Sequence, residues 1–181
     1  MLPGHFPLNM YRYNRIKEMN RQRAQANSWK NRPMPPENKE LAVEGVLSRD
    51  EYGAVSLGYI PQSPADKWFI YLERDWLYFH RSQTGTCVFR VKIEPFEDRY
   101  AIVKAVVNRN PQQYRNTDDA YDVALIAYVI DTVLLGRFAP FPQMKGLSAD
   151  DQVRHQRHVM GAKGPGGSER MVLRVLNGRQ H

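Results

Sequence analysis

The chain has 181 residues, with 26 Lys and Arg against 19 Asp and Glu, and its formal net charge is +7. Hydrophobic residues make up 42% of it and charged residues 25%, as in ordinary globular proteins, so a fibrous or wholly disordered chain is not expected. The single cysteine, Cys87, excludes an internal disulfide and a zinc site built from several thiolates.

The positive charge is concentrated in the two flanks of the chain. Residues 1–36 have a net charge of +6, residues 37–148 one of −2, and the rest one of +3. We predict a basic, flexible N-terminal extension, a folded α+β domain and a basic C-terminal tail. Basic flanks can bind phosphate backbones without reading base sequence, and a solvated extension is the preferred alternative. The predicted boundaries are 1–40, 41–148 and 149–181.

The sequence is not expected to contain a targeting signal or a membrane-spanning segment. Residues 11–30 can form a basic helix with one weak apolar face, and the proline-rich run 32–36 is typical of a linker. The first residues lack the apolar region of a secretory signal. The longest apolar run, 123–135, is shorter than the roughly 20 residues that span a bilayer. We therefore expect a cytoplasmic protein with no membrane partner.

The folded domain is predicted to begin with two strands, over 41–47 and 54–60, around a turn at 48–53. Four further β-rich runs follow at short spacing, with Gly85 available for positive φ in one of the turns. Because parallel pairing needs a crossover of about a dozen residues, these connections require antiparallel neighbours. The result is an antiparallel meander of about six strands. The four later strands are predicted over 68–73, 76–81, 87–93 and 100–107.

One buried helix is predicted between Asp118 and Gly136. Asp118 can cap its N-terminus, and Asp119 and Asp122 lie where the helix dipole favours negative charge. Residues 121–135 are apolar around almost the whole circumference, which is typical of a buried helix, and glycine can end it. We therefore predict an α+β fold in which the meander packs against one long buried helix.

The region beyond this helix is less regular. Residues 150–160 can form a short helix, 161–167 are glycine-rich and flexible, and 171–176 can form a late strand or an ordered tail. His155 and His158 lie three residues apart, a spacing compatible with two metal ligands. No third ligand is evident, so a surface position is the preferred interpretation.

The strand over 76–81 is unusual in its polar and aromatic content. With a period of two, one of its faces ends in a charge and the other is wholly aromatic. The next strand has an apolar face and a basic face, and the turn between the two strands supplies hydroxyl groups. The first face comprises Leu77, Phe79 and Arg81, and the second comprises Trp76, Tyr78 and His80.

This hairpin predicts a site for a nucleotide-like or phosphorylated ligand. Arg81 and Arg90 can hold a phosphate or carboxylate through fork geometry, although the sequence does not show that they share a face. His80 can donate to a phosphate or act as a general acid/base, which makes it the candidate catalytic group. The aromatic rings, that of Trp68 among them, can stack on a base. The candidate ligand-binding residues are Trp76, Tyr78, His80, Arg81, Ser82, Thr84 and Arg90.

A purely structural interpretation of the hairpin remains open. Aromatic residues favour strands, cross-strand aromatic pairs stabilise sheets, and a strand histidine is more often a hydrogen-bonded structural residue than a catalyst.

Other motifs in the sequence give weaker evidence for a functional site. The three aspartates near the helix N-terminus are better explained by capping than by Mg²⁺ binding, and no P-loop or nucleophile elbow is present. We expect no cofactor and no metal.

The run Leu77-Tyr-Phe-His-Arg-Ser-Gln-Thr-Gly85 resembles a pattern found in a family of small bacterial proteins. Some members of that family are associated with ADP-ribose metabolism and macrodomains. The resemblance covers about residues 54–136 and implies a nucleotide-type ligand. This chain departs from the pattern at Gln83, where the family has an aromatic residue, so a stacking role for that position is in doubt.

Three hypotheses for function follow from the sequence. The first is a binding module for a nucleotide-like small molecule at the hairpin. The second is an interaction protein whose basic flanks bind nucleic acid or a protein, in which case binding weakens steeply with salt. The third is a hydrolase or transferase at the same hairpin, with His80 as acid/base. Loss of turnover without loss of binding in His80→Ala separates the third from the first.

Overall fold

A computed structural model describes residues 22–161 and the backbone of residues 174–175. The chain forms an α+β fold around an antiparallel sheet, as predicted. Six strands follow one another in the order β3-β4-β5-β6-β2-β7, and β1 also pairs with β6. The elements are β1 (Asn38–Leu41), β2 (Val43–Leu47), α1 (Arg49–Leu57), β3 (Trp68–Glu73), β4 (Trp76–Arg81), β5 (Cys87–Phe96), β6 (Arg99–Asn108), α2 (Asp119–Val129), a π-helical turn (Ile130–Leu134), α3 (Ala149–Met160) and β7 (Arg174–Val175).

The strand predicted over 54–60 and the turn before it are wrong, because this region forms helix α1. Ser48 caps the helix: its hydroxyl accepts from the amide of Glu51, whose carboxylate accepts from the amide of Ser48. This reciprocal capping box satisfies two amides that lack partners within the helix. Gly58 ends the helix at φ +65°, where an added Cβ would lie 2.3 Å from the carbonyl oxygen of Ile70.

The strands that follow agree well with the sequence. The predicted strands 68–73 and 76–81 are confirmed as β3 and β4, and β5 and β6 are each longer than predicted. Strands β3 to β6 form the predicted antiparallel meander. The predicted strand 41–47 is divided in two at Ala42, and both parts pair with β6.

Helix α2 is shorter than the single long helix that was expected. Its α-helical part ends at Val129 and continues as the π-helical turn through Leu134, about 16 residues in all. The carboxylate of Asp118 caps it by accepting from the amides of Ala120 and Tyr121 at 3.0 and 3.1 Å. The described residues contain three α-helices rather than one long one, because α1 and α3 join α2. Helix α3 coincides with the short helix that the sequence allowed over 150–160.

The main core lies between the helices and one face of the sheet, called here the core face. Fully buried side chains from β3 to β6 on this face meet the apolar side of α2, together with Val55 of α1 and Val159 of α3. None of the helices among the described residues is long and apolar enough to cross a membrane. The core-face residues of β3 to β6 are Trp68, Ile70, Leu72, Leu77, Phe79, Val88, Phe89, Val91, Ile93, Ile102, Ala105 and Val107.

Part of the predicted N-terminal extension lies against the opposite face of the sheet, called here the aromatic face. The amide of Ala24 donates to the carbonyl of Leu57 at 2.8 Å, and Ala24 is only 1% exposed. The indole N–H of Trp29 donates to the carbonyl of Ser82 at 2.8 Å. Ala24 also packs with Phe69 and Tyr71 of β3, so part of the segment over 22–36 lies against the sheet. The rest of the predicted basic flanks, residues 1–21, 162–173 and 176–181, lies outside the described residues.

Candidate functional site

The pairing of β4 places its polar residues on two different faces. Arg81 lies directly opposite Trp68 of β3, and its guanidinium carbon is 5.0 Å from the centre of that ring, on the core face. Tyr78 lies directly opposite Arg90 of β5, on the aromatic face. The two arginines are on opposite sides of the sheet, so they cannot hold one phosphate together.

Stacked rings cover the aromatic face where β3 and β4 run side by side. Tyr71 stacks on Tyr78 with ring centres 4.9 Å apart, and on His80 with ring centres 5.6 Å apart. The ring of Phe69 extends the same row, tilted by 33° from the ring of Tyr71 with ring centres 5.3 Å apart. Phe69 lies directly opposite His80 and Tyr71 directly opposite Tyr78, so direct, diagonal and same-strand contacts join the four rings.

The N-terminal segment encloses part of this face. The amide of Arg32 donates to the carbonyl of Gly85 at 2.8 Å, which fixes the segment at the β4–β5 turn. The space between segment and sheet is a cleft of about 360 Å³, called here the aromatic cleft. Two arginines and one glutamate contribute its charged groups, so its charge is net positive. The cleft is lined by Asn31, Arg32, Pro33, Met34, Asn38, Tyr71, Glu73, Tyr78, His80, Cys87 and Arg90.

His80 lies at the floor of the aromatic cleft and is 1% exposed. Its Nδ1 is 3.0 Å from the carbonyl oxygen of Gly85. Because a carbonyl only accepts, Nδ1 carries the hydrogen, and Nε2 of the neutral ring is an acceptor. Burial lowers the pKa of His80, which favours this neutral form. Nε2 is buried and has no hydrogen-bond partner among residues 22–161, so His80 retains an unused acceptor within the wall of the cleft.

Arg90 supplies a donor on the same wall. Its guanidinium carbon is 4.8 Å from the centre of the Trp76 ring, a cation–π contact that holds the side chain against the sheet. Its Nε is buried and has no hydrogen-bond partner in the described part of the chain. Trp76 lies beside the cleft rather than in its lining. Arg90 therefore offers a fixed positive charge and a free N–H next to a row of rings.

Besides Trp76, three of the seven candidate residues do not line the aromatic cleft. Arg81 donates from Nη1 to the carbonyl of Val159 at 2.9 Å and from Nη2 to that of His158 at 2.7 Å, so it binds the C-terminal end of α3. The hydroxyl of Ser82 donates to the carbonyl of Asp66 at 2.6 Å. The hydroxyl of Thr84 donates to that of Thr86 at 3.0 Å. All three groups have structural partners.

Several residues of the cleft were missed by the sequence analysis. Tyr71 could have been recognised from the sequence, because it lies two residues from Phe69 and therefore on the same face of the strand that pairs with β4. The run 31–34 could not, because its proline-rich composition indicates a linker whether or not it lies against the sheet. Cys87 is 1% exposed, and burial raises the pKa of its thiol to about 12, so it is a neutral wall residue.

The acidic cluster at the N-terminus of α2 has a structural role. Arg109 binds Asp119 and Asp122, each with its Nη2 2.7 Å from a carboxylate oxygen. Asp122 is fully buried and also accepts from the hydroxyl of Tyr114 at 2.5 Å. Together with the cap at Asp118, these contacts account for all three aspartates. Within residues 22–161, no group of three or more His, Cys, Asp and Glu is placed to hold a metal ion.

The aromatic cleft combines three chemical features in a small space. It has a stack of π faces, one buried acceptor at His80 and a positively charged donor at Arg90. Such a set can bind a planar ligand that has both an N–H or O–H donor and an anionic group.

Comparison with known proteins identifies no relative, since no family model, curated protein or solved structure matches the chain.

Proposed function

We propose that the protein is a binding module for a nucleotide-like ligand, held in the aromatic cleft between the N-terminal segment and the sheet. The observation that carries the proposal is the pair of unused polar atoms on its wall, Nε2 of His80 and Nε of Arg90. A buried polar atom without a partner costs about 1–3 kcal/mol, so a ligand that satisfies both recovers that free energy on binding.

The polarity of these two atoms restricts the ligand. His80 accepts and therefore requires an N–H or O–H from the ligand. Arg90 donates and therefore requires an acceptor, ideally an anionic oxygen. A nucleotide has both, because its base and ribose supply donors and its phosphate supplies anionic oxygens. The rings of Tyr71 and Tyr78 and the guanidinium of Arg32 supply a stacking surface and further positive charge.

The size of the cleft favours a small nucleotide. Small-molecule pockets span about 300–1,000 Å³, and the 360 Å³ of the aromatic cleft lies at the lower end of that range. A mononucleotide is therefore preferred to a dinucleotide such as NAD. The resemblance of residues 77–85 to a family associated with ADP-ribose makes ADP-ribose the second ligand to test, and it points to a bacterial source.

The proposal is tested by unfolding the full chain with AMP, ADP-ribose and NAD. A ligand at about 100 times its Kd stabilises the folded state by about 2.7 kcal/mol, a readily measured rise in Tm. We expect AMP or ADP-ribose to give such a rise, and Arg90→Gln to abolish it. Arg99→Gln, an exposed arginine of the same sheet, is the matched control and retains the rise. No rise with any of the three, or equal loss in both variants, contradicts the proposal.

The other hypotheses remain predictions with separate tests. If the cleft is catalytic, His80→Gln loses turnover of a bound nucleotide but retains binding, because glutamine keeps an acceptor and cannot act as an acid/base. If the basic flanks bind nucleic acid, deletion of residues 1–21 weakens binding and salt weakens it further. The deletion has to stop before residue 22, because residues 31–34 line the cleft. A cytoplasmic location is likewise proposed, and the buried free thiol of Cys87 fits a reducing compartment.

A further inference from the structure

A second cavity lies on the core face of the sheet, where helix α3 approaches the ends of β3, β4 and β5. Its volume is about 510 Å³, larger than that of the aromatic cleft. Trp68 and Arg81 form its sheet side, and His155 and His158 of α3 lie across from them. The loop over 112–116 and the start of α2 close the remaining sides. The sheet separates this cavity from the aromatic cleft.

The charges around this core-face cavity are all of one sign. Arg81 and Arg115 line it, and no carboxylate does. Among the described residues, no acidic side chain pairs with Arg81, which uses two of its five N–H groups on backbone carbonyls of α3. Burial lowers the pKa of Arg81 to about 10, so it is charged at neutral pH, with no counterion within residues 22–161. Such a cation favours an anionic ligand.

Trp68 adds an unused hydrogen-bond donor. It is 2% exposed, and its indole Nε1 is buried with no hydrogen-bond partner in the described part of the chain. Buried indole N–H groups usually have a partner, because an unpaired donor costs free energy. Trp68 and Arg81 both line the cavity, so these two donors together favour an occupant with acceptor oxygens.

The rest of the wall is mainly apolar. Val88, Leu125, Met144 and Val159 contribute hydrocarbon surface, and the ring of Tyr121 adds to it. The polar tip of Tyr121 is already used, because its hydroxyl lies 2.5 Å from Nε2 of His155. The cavity thus has a mainly hydrophobic wall with a positively charged region at Arg81.

We propose that the core-face cavity binds a small organic acid, with its hydrocarbon part against the apolar wall and its carboxylate at Arg81 and the indole N–H of Trp68. A carboxylate has two acceptor oxygens, enough to satisfy both donors. The proposal does not depend on the aromatic cleft, since the two cavities share no lining residue.

The test compares acids with neutral amides of the same shape on the full chain. The probes are 1-naphthylacetate with 1-naphthylacetamide, and decanoate with decanamide. Binding is followed by NMR at the indole N–H groups of the three tryptophans, Trp29, Trp68 and Trp76. We expect at least one acid to shift the Trp68 signal and leave the Trp76 signal in place, and its amide to bind at least tenfold more weakly.

Two tryptophan variants test whether the Trp68 N–H contributes to acid binding. Trp68→Phe removes the N–H and keeps a ring, and it should weaken acid binding about tenfold, whereas Trp29→Phe should leave the affinity unchanged because Trp29 donates to Ser82 outside the cavity. Equal binding of acid and amide by the unaltered chain overturns the proposal. So does the absence of any shift at Trp68 with either acid.

Discussion

Arg81 and Arg90 lie on the two strands of the same β-hairpin, yet their side chains occupy opposite faces of the sheet. Arg81 binds the last carbonyls of α3 on the core face. Arg90 lies over Trp76 on the aromatic face and contributes to the aromatic cleft. Arg81 thus holds a helix in place and lines the core-face cavity, whereas Arg90 lines the aromatic cleft.

Replacement of Arg81 by lysine should loosen helix α3. Lysine keeps the charge but lacks the planar fork that reaches the carbonyls of His158 and Val159 together. Hydrogen bonds from a charged group contribute about 1.5–3 kcal/mol, so we expect a loss of stability of about that size. Hydrogen exchange of the amides in α3 should accelerate in Arg81→Lys.

The matched control for this prediction is Arg90→Lys on the other face. Arg90 makes no contact with α3, and its cation–π contact with Trp76 is retained by an ammonium group. Exchange in α3 should therefore match that of the unaltered chain. Unchanged exchange in Arg81→Lys itself would mean that α3 is held by its apolar side alone.

Gly85 should tolerate alanine poorly because the N-terminal segment lies against it. Its φ is +76°, and an added Cβ would lie 3.2 Å from the carbonyl oxygen of Lys30 and from Cα of Asn31. Gly136 has a similar φ of +63° but open space around it, so Gly136→Ala experiences only the backbone strain, about 1–2 kcal/mol. Gly85→Ala should in addition expose the amide of Arg32 to hydrogen exchange. Equal protection of that amide in both variants contradicts this assignment.

The capping box of α1 gives a direct test of the helix that replaces the predicted strand. Ser48→Ala removes the acceptor of the Glu51 amide and should lower the free energy of unfolding by about 1 kcal/mol. Ser56→Ala, inside the same helix, should have little effect because alanine favours helix interiors. Urea unfolding of both variants measures the difference. Equal effects would rule out a capping role for Ser48.

The stability of the protein should decrease below neutral pH, in part because of His80. Burial lowers the pKa of His80 below the ordinary value of about 6.5, so as the pH falls through 6.5 the unfolded chain takes up a proton before the folded one does. Protonation therefore favours unfolding. The pKa values of His155 and His158 are lowered too, so both contribute with the same sign.

The contribution of His80 can be isolated by substitution. Between about pH 7.5 and 5.5, His80→Gln should lose less stability than the unaltered chain, because glutamine does not titrate. The same measurement on His155→Gln gives the contribution of a histidine on the core face. A pH dependence in His80→Gln as steep as in the unaltered chain would show that His80 is not buried as a neutral ring.

Local patterns in the sequence predicted most of the sheet. Strands β3 and β4 have clear turns and strong β-forming residues, so their bounds follow directly from the sequence. The region of α1 was misassigned because its apolar residues alternate weakly, although the Ser48–Glu51 spacing of a capping box was present. Here the capping pattern was the better signal.

The candidate site was only partly predictable, for a reason that lies in the pairing of strands. Alternation along β4 separated Arg81 from His80 correctly, but the face of Arg90 depended on register, which only the structure fixes. The role of residues 31–34 depended on a long-range contact between Arg32 and Gly85. No local pattern encodes such a contact, and so the closed side of the cleft could not be foreseen.

The central claim, that the aromatic cleft binds a nucleotide-like ligand, is tested most directly at the ring nitrogens of His80. AMP or ADP-ribose is titrated into the full chain while NMR follows these nitrogens and the indole N–H groups. The account predicts that Nε2 of His80 gains a hydrogen-bond donor and changes its resonance, and that the signal of Trp68 stays unchanged. A saturating ligand that leaves His80 unaffected, or that shifts Trp68 instead, contradicts it.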